Sequence, residues 1–346
     1  MARTRATRQV YADLLERYGR AVADAFFRAL DTLRAGVELQ RVTAALQNND
    51  IDAALDALHI DPEAFNEVAD RIREAHAEAG KITAEGMPRR RPDGTALVVR
   101  FDGRNPQAEA WLSAHSSDLI TRLTTEQRDL VRASLSESMR RGVNPRQAAL
   151  DVVGRINRAT GRREGGVLGL SAPQEAYVRS ARDQLASSDP ADLRAYLTRT
   201  KRDKRFDRSV TKAIREGTAV DPAIAAKAVT AYERRLLKLR GDTIGRVETM
   251  TSMQRAKFEA YRQAVAAGKV AENTVTKVWR SASDLRVRHT HRGLNGDSAR
   301  LNEPFRSPSG ALLRFPMDTA MGAGADEIVN CRCDCEYRID FLAIIR

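Results

Sequence analysis

Two histidines and three cysteines near the C-terminus are the residues whose types and spacing could bind a metal. His289 and His291 are separated by one residue in "RHTH", and Cys331, Cys333 and Cys335 alternate in "NCRCDC". Residues two apart in a strand point to the same face, so we expect one imidazole and two thiolates to meet. Zn²⁺ takes such nitrogen and sulfur ligands in a tetrahedral arrangement. His291, Cys331 and Cys333 are therefore candidate zinc ligands; the alternative is a core of buried thiols in which His291 bonds to the backbone or a carboxylate.

The same side chains also allow two catalytic arrangements. Cys331 beside His291 could form a nucleophile pair, and His289, His291 and Asp297 could hold the metal of a nuclease. The first has no identifiable third member or oxyanion loop. The chain also contains no His-Glu-x-x-His, Gly-x-Ser-x-Gly, Walker or Cys-x-x-Cys motif. We therefore predict no catalytic residues and no enzymatic activity.

The composition is typical of a protein built from long helices. Of the 346 residues, 30% are charged and only 5% are aromatic, and Ala, Arg, Glu and Leu dominate long runs. A chain of this length is expected to form two or three units with cores of their own. No apolar run is long enough to span a bilayer and the N-terminus lacks a signal peptide, so we expect a soluble protein that is made in the cytosol and needs no membrane.

The charge is strongly basic and lies mainly in the helical part. The formal net charge is +12, from 58 Lys and Arg against 46 Asp and Glu, and residues 274–346 hold 11 basic and 9 acidic side chains. Such a field favours contact with polyanions. The basic cluster "KRDKRFDR" makes Lys201, Arg202, Lys204 and Arg205 candidate phosphate contacts, whereas its interleaved Asp residues are equally typical of a solvated helix surface.

Apolar periodicity and capping residues divide the first two thirds of the chain into helices. Residues 8–35 carry an apolar stripe at steps of three and four, and Asp61-Pro62 predicts a helix to about Ala79. These elements predict a helical hairpin over residues 1–85. Residues 86–104 hold several prolines and glycines around "ALVVRF", which indicates a hinge with a short extended segment.

Residues 105–270 are predicted to form a helical domain. Pro106, Thr124 and Pro145 mark the starts of three successive amphipathic helices, the last covering "PRQAALDVVGRINRAT". After residue 221 the apolar rhythm continues to Ala267 in two helical stretches that break near Gly241. At "ENTVTKVWR" the period changes to two, which predicts a sheet-containing unit over residues 271–346. The expected fold is mainly α: an elongated helical region followed by a small α+β C-terminal module.

Three segments of this module carry a family resemblance: "VWRSASDLRVRHTHRGLNG", "EPFRSPSGALLRFPMD" and "GAGADEIVNCRCDC". They resemble the C-terminal module of the phage head morphogenesis or minor head protein family, which includes phage Mu F-like and SPP1-type portal-associated proteins. The helix before the module and the helical middle are similar to the family as well, from about residue 97 to 335. The first ninety residues show only a general likeness.

The resemblance assigns family motif positions to ten residues of this chain. They are Arg288, His291, Gly296, Pro304, Phe305, Pro316, Asn330, Cys331, Arg332 and Cys333. His289 and Cys335 stand outside the family pattern, as does Val247 where the family commonly has threonine, so these three inherit no role.

The resemblance implies a virion protein of the phage head, assembled in the host cytoplasm. Its implied partners are the portal protein and the major capsid or scaffolding protein, with packaged DNA as a further contact. The implied roles are head assembly or completion, DNA packaging and DNA ejection. Two alternatives stay open on the residues alone: a virion-delivered enzyme, such as a metal-dependent nuclease or a toxin-like effector, and a plain DNA-binding protein.

Overall fold

The protein is mainly helical, as predicted. A computed structural model describes residues 2–341, with side chains from Arg8 onward. Its helices are α1 (Ala2–Ala35), α2 (Leu39–Gln47), α3 (Ile51–Asp56), α4 (Asn66–Glu85), α5 (Pro106–Arg140), α6 (Pro145–Val153), α7 (Ala172–Ala186), α8 (Pro190–Thr198), α9 (Asp207–Glu216), α10 (Pro222–Ala266), α11 (His289–Gly293) and α12 (Ala325–Ile328). Short 3₁₀ turns occupy Pro62–Phe65, Lys204–Phe206 and Glu272–Thr274.

The strands are short and concentrate near the C-terminus. They are β1 (Arg155–Ile156), β2 (Arg163–Glu164), β3 (Val275–Arg280), β4 (Ser298–Arg300), β5 (Phe305–Arg306), β6 (Leu312–Leu313) and β7 (Asp334–Ile339). β3 lies between β4 and β7 in an antiparallel sheet, and β1–β2 and β5–β6 form two separate hairpins. The predicted strand in "ENTVTKVWR" is therefore β3, and the small α+β module is confirmed as an arrangement of elements.

The chain divides into two compact units assembled from segments that are distant in sequence. Unit 1 contains the chain up to Ala25, Glu67–Ser117 and the chain from Asp242 onward; unit 2 contains Phe26–Asn66 and Asp118–Gly241. α1, α5 and α10 thus contribute residues to both. The predicted consecutive domains 1–85, 86–104, 105–270 and 271–346 remain predictions about which pieces can fold independently.

The apolar stripe of α1 forms core, and the predicted caps act where they were expected. Leu14, Val22, Phe26, Leu30 and Leu33 are all buried, whereas Val10 is 41% exposed. The side chain of Asp61 accepts a hydrogen bond from the amide of Glu63, and that of Asn144 accepts from the amide of Arg146 at the start of α6. Local sequence therefore set these helix starts.

Four predicted helix boundaries are wrong. The helix predicted to end at about Ala79 continues as α4 to Glu85. α5 continues through Thr124, whose hydroxyl donates to the carbonyl of Ile120 inside the helix instead of capping a new one. α6 ends at Val153, and the residues predicted to extend it form β1 and a turn. α10 continues through Gly241, where an added Cβ would lie 2.3 Å from the ring of Phe27. This glycine permits close packing and does not break the helix.

The core of unit 1 supports the C-terminal strands. Its largest buried aromatic side chains are Phe258 on α10, Trp279 on β3, Phe305 on β5 and Phe315 in the loop after β6. Met87 and Leu97, from the segment predicted as a hinge, belong to the same cluster. The module is thus packed on α10 and on an upstream segment, and these contacts hold the elements that carry the candidate ligands.

Candidate metal centre

The backbone around β3 and β7 brings the two halves of the histidine and cysteine motif together. In the antiparallel register, Trp279 of β3 lies opposite Cys335 of β7. Cys331 and Cys333 directly precede β7, and the loop that follows β3 leads into α11, which begins at His289. The sheet therefore returns the cysteine segment to the helix that carries the histidines, although forty residues separate His291 from Cys331.

α11 points its two histidines to different sides. His291 is 1% exposed, whereas His289 is exposed to solvent. Residues two apart on a helix are separated by about 200° of rotation, so they cannot share a face. The strand geometry predicted for this pair is wrong, and the correction explains why one histidine alone reaches the cysteines.

His291, Cys331 and Cys333 form the group expected of a metal centre. The Nδ1 atom of His291 lies 3.4 Å from the Sγ of Cys331 and 3.4 Å from the Sγ of Cys333. All three donor atoms lie within 4.8 Å of one another. Zinc bonds of about 2.1 Å to nitrogen and 2.3 Å to sulfur at a tetrahedral angle would place those atoms about 3.6 Å apart. The chemistry and the spacing of these donors therefore fit zinc.

The far side of the imidazole is fixed by a buried carboxylate. His291 Nε2 lies 2.6 Å from Glu327 Oε2. The carboxylate also accepts from the hydroxyl of Ser309 at 2.6 Å, and from Ser307 at 3.1 Å. Glu327 is 2% exposed. A carboxylate that accepts the second ring N–H orients a metal-binding histidine with Nδ1 towards the metal.

Hydrogen bonding separates the pKa values of the two thiols. A hydrogen bond from the Cys331 thiol lowers the pKa of Cys333 to about 5. Burial opposes this shift, and His291 adds to it. The same hydrogen bond and burial raise the pKa of Cys331. The lowered pKa favours the thiolate form of Cys333, and a metal that binds both sulfurs would displace the proton of Cys331.

The pKa of Glu327 favours its charged form despite burial. Burial alone would raise this pKa, but hydrogen bonds from Ser309, His291 and Ser307 lower it below the usual value for a glutamate. An ionised Glu327 can only accept hydrogen bonds, so it holds the proton of His291 on Nε2.

The remaining family motif residues support the loops around this group. Arg288 donates to the backbone carbonyls of Asp326 and Val329. Phe305 is buried with its ring edge-on to Trp279, at a centroid distance of 5.3 Å. Pro304 is partly buried and Pro316 is buried beside the same core.

Two motif residues shape turns, and a third forms an ion pair. Gly296 has a φ of +98° and its amide donates to the carbonyl of Trp279; Asn330 has a φ of +59°. These left-handed conformations suit glycine and asparagine. The guanidinium of Arg332 binds the carboxylate of Asp284 through two nitrogens, which ties the loop after β3 to the cysteine segment.

Cys335 and Asp297 lie outside the donor group. In the part of the chain from 2 to 341, His291, Cys331 and Cys333 are the only three His, Cys, Asp or Glu side chains placed to share a metal. Cys335 is fully buried on β7, and burial raises its pKa to about 12. The nuclease arrangement of His289, His291 and Asp297 is therefore not formed.

The candidate phosphate contacts lie in unit 2 and are partly neutralised. Arg202 forms an ion pair with Asp207 at 2.9 Å, and Arg205 pairs with Asp203 at 2.7 Å. Lys201 and Lys204 are exposed. Two of the four predicted cations thus have carboxylate partners within the chain.

Sequence reasoning missed Glu327, Ser307 and Ser309. The sequence contained no spacing rule that would link them to His291, because Glu327 lies on α12 and both serines lie in the turn between β5 and β6. Glu327 meets the imidazole, and the serines meet Glu327, only through tertiary contacts. The alternative that His291 bonds to a carboxylate did describe this contact in general terms. The metal-ligand interpretation thus concerns Nδ1 of His291, which faces the cysteines, and the hydrogen-bond interpretation concerns Nε2, which faces Glu327.

Comparison with known proteins identifies a family over the C-terminal part of the chain. Residues 204–336 match the family model described as Phage Mu protein F like protein. The matched range contains all ten motif residues assigned from the sequence and confirms the resemblance there. The similarity of residues 97–203 to the same family stays a prediction. No curated protein and no solved structure gives a significant match to the chain.

Proposed function

We propose that this protein is a minor component of a phage head and acts in head morphogenesis, because residues 204–336 match the family model described as Phage Mu protein F like protein. The family match is the observation that carries the proposal. The role is structural, and it requires no catalytic residues. No helix among the described residues is long and apolar enough to cross a membrane.

The finer role that we propose is association with the portal, or with the capsid or scaffolding protein, during assembly, DNA packaging or ejection. The exposed faces of the long helices α1 and α5 offer extended surfaces for docking on other helices. The net charge of +12 suits a neighbour that is acidic or a nucleic acid.

Mass spectrometry of purified particles tests this role. We expect the protein in mature heads at a copy number far below that of the major capsid protein, and in complexes isolated with the portal. A protein that is absent from particles and remains monomeric in the infected cell would contradict the proposal.

We further propose that His291, Cys331 and Cys333 bind Zn²⁺. The 3.4 Å separations between His291 Nδ1 and both sulfurs carry this assignment. A bound ion would cross-link α11 to the segment before β7. Such a link is most useful in a small module with short strands, where a limited core supplies little stability.

Elemental analysis of the purified full chain tests the metal assignment. We expect about one zinc per chain in the wild type and almost none in a Cys331→Ala/Cys333→Ala variant. Cys335→Ala is the matched control, because this equally buried cysteine lies outside the donor group. Equal zinc content in all three proteins, or none in the wild type, would exclude the site.

A further inference from the structure

Among the described residues, the candidate metal centre has three ligands. Within residues 2–341, only His291, Cys331 and Cys333 have donor atoms close enough to share an ion. Glu327 is excluded because it binds Nε2, on the opposite side of the ring from Nδ1. Structural zinc sites are usually closed by four protein ligands, whereas three leave a position open.

A small cavity lies directly beside the three donors. Its volume is about 20 Å³, and it is bordered by the donor residues and by Arg286, Val287, Arg288, Asn330 and Arg332. A space of this size accommodates one water-sized group. The space beside the donors therefore suits a small ligand group.

The charges around this cavity favour an anionic donor. A Zn²⁺ ion with two thiolates and a neutral imidazole has no net charge, so the border residues decide the local field. Three of these residues are arginines, and Asp284 neutralises Arg332 through its two hydrogen bonds. Arg286 and Arg288 leave an excess of positive charge at the opening. Oxygen from a carboxylate also belongs to the ligands that zinc accepts, at about 2.0–2.2 Å.

We propose that the metal centre keeps one coordination position for a carboxylate oxygen from outside the chain. This inference rests on the proposed zinc site and names the ligand that completes it. The carboxylate comes either from an acidic side chain of a neighbouring head protein or from a free small carboxylate, and water fills the position in the isolated protein. The centre would then join this chain to its neighbour through the metal.

Cobalt substitution of the full-length protein tests the open position. Co²⁺ replaces zinc at nitrogen and sulfur sites, and its visible absorption reports the ligand set. We expect acetate, titrated at constant ionic strength, to shift the cobalt bands in a saturable way. Arg286→Gln should weaken the apparent affinity for acetate by about threefold to fivefold, because one nearby positive charge is removed. Arg306→Gln, an exposed arginine that does not border the cavity, should leave the affinity unchanged.

The two sources of carboxylate are distinguished in the same assay. Acetate is compared at equal concentration with a short peptide that has one glutamate side chain and blocked ends. The peptide binds more tightly if flanking residues of a partner contribute to the contact. Equal affinity indicates a free carboxylate as the natural ligand. Either result supports an open position.

Failure of this inference is separable from failure of the zinc assignment. A protein that binds neither zinc nor cobalt overturns both. A protein that binds one cobalt, shows no spectral response to acetate or the peptide, and gives four protein ligands in X-ray absorption overturns only the open position. Metal-dependent dimerisation that saturating acetate does not reverse, detected by size-exclusion chromatography, would assign the fourth position to a histidine or cysteine of a second copy and overturn the carboxylate proposal.

Discussion

At the scale of single residues, Glu327 determines how His291 can act. Its buried carboxylate accepts from Nε2 at 2.6 Å, which leaves Nδ1 facing Cys331 and Cys333. If Glu327 were absent, the imidazole could rotate or protonate at the other nitrogen, and the donor atoms would no longer converge. The orientation of one ring is therefore set by a residue that binds no metal itself.

Replacing Glu327 with Gln should weaken zinc binding by about tenfold to a hundredfold, the usual effect of losing a carboxylate that orients a ligand histidine. Competition with a chelator measures the dissociation constant. Glu336→Gln is the control, since Glu336 forms its ion pairs with Arg280 and Arg338 outside the centre. Equal affinities of the two variants would show that Glu327 does not orient His291.

Lys277 should make stability depend on pH above neutrality. The side chain is fully buried, and burial lowers its pKa to about 8, while an unfolded lysine titrates near 10.4. Between these values the unfolded chain binds more protons than the folded one, so the free energy of unfolding rises with pH. We expect the wild type to gain about 1 kcal/mol per pH unit between pH 8 and 10, relative to Lys277→Met.

Chemical unfolding at several pH values measures this difference, and Lys269→Met provides an exposed control. Lys277 also donates to the carbonyl of Leu301 at 2.7 Å, so the variant changes packing at every pH. Only the pH dependence of the difference in unfolding free energy between wild type and Lys277→Met reports the titration of Lys277. Parallel pH profiles for wild type and Lys277→Met would refute the depressed pKa.

The basic cluster in unit 2 can offer fewer phosphate contacts than its sequence suggests. Arg202 and Arg205 are paired with Asp207 and Asp203, which leaves Lys201 and Lys204 as the stronger candidates. If the protein binds DNA here, a Lys201→Gln/Lys204→Gln variant should reduce the slope of log affinity against log salt by about two. Fluorescence anisotropy over a salt series measures it. An unchanged slope would place any DNA contact elsewhere.

At the scale of elements, close helix contacts explain glycines that resemble helix breakers. In unit 1, α1 and α10 approach each other at Gly19 and Gly245. A Cβ added at Gly245 would lie 2.2 Å from the backbone oxygen of Gly19, whereas one added at Gly19 would have its nearest neighbour at 3.7 Å. The two glycines therefore have different steric freedom at the same crossing.

Gly245→Ala should destabilise the protein by about 1–3 kcal/mol, because the new methyl group meets a backbone atom that cannot move aside cheaply. Gly19→Ala should be neutral or stabilise by up to about 1 kcal/mol, since alanine is the better helix former. Denaturant unfolding compares the two. Equal effects of both substitutions would contradict the packing described for this crossing.

At the scale of the whole molecule, the C-terminal module depends on residues outside it. The core around Trp279 and Phe305 also contains Phe258 from α10 and Met87 and Leu97 from the segment after α4. The predicted boundary near residue 270 coincides with the end of α10 and the start of β3, but it cuts through this core. We therefore expect the boundary of independent folding to lie elsewhere than this change of secondary structure.

A fragment of residues 271–346 should therefore lack a cooperative unfolding transition, even with one equivalent of zinc. Circular dichroism on heating measures the transition, and binding of a hydrophobic dye reports the exposed core. A fragment that begins at residue 242 retains Phe258 and should be more ordered. Cooperative unfolding of 271–346 alone would establish the predicted module as an independent domain.

The sequence by itself determined the elements that arise from local interactions. The stripe of α1, the caps at Asp61 and Asn144 and the strand β3 follow from periodicity and from hydrogen bonds between near neighbours. The sequence also identified His291, Cys331 and Cys333 as one group, because few other residue types bind metals and the family motif links the two segments.

Only the tertiary structure decided the features that depend on what packs opposite. Gly241 lies inside a helix and leaves space for the ring of Phe27. Thr124 lies inside α5, where its hydroxyl donates to the carbonyl of Ile120. Glu327 reaches His291 through contacts between residues 36 apart in the chain. Local propensities amount to a few tenths of a kcal/mol per residue, so the larger free energies of burial and steric contact override them wherever the two conflict.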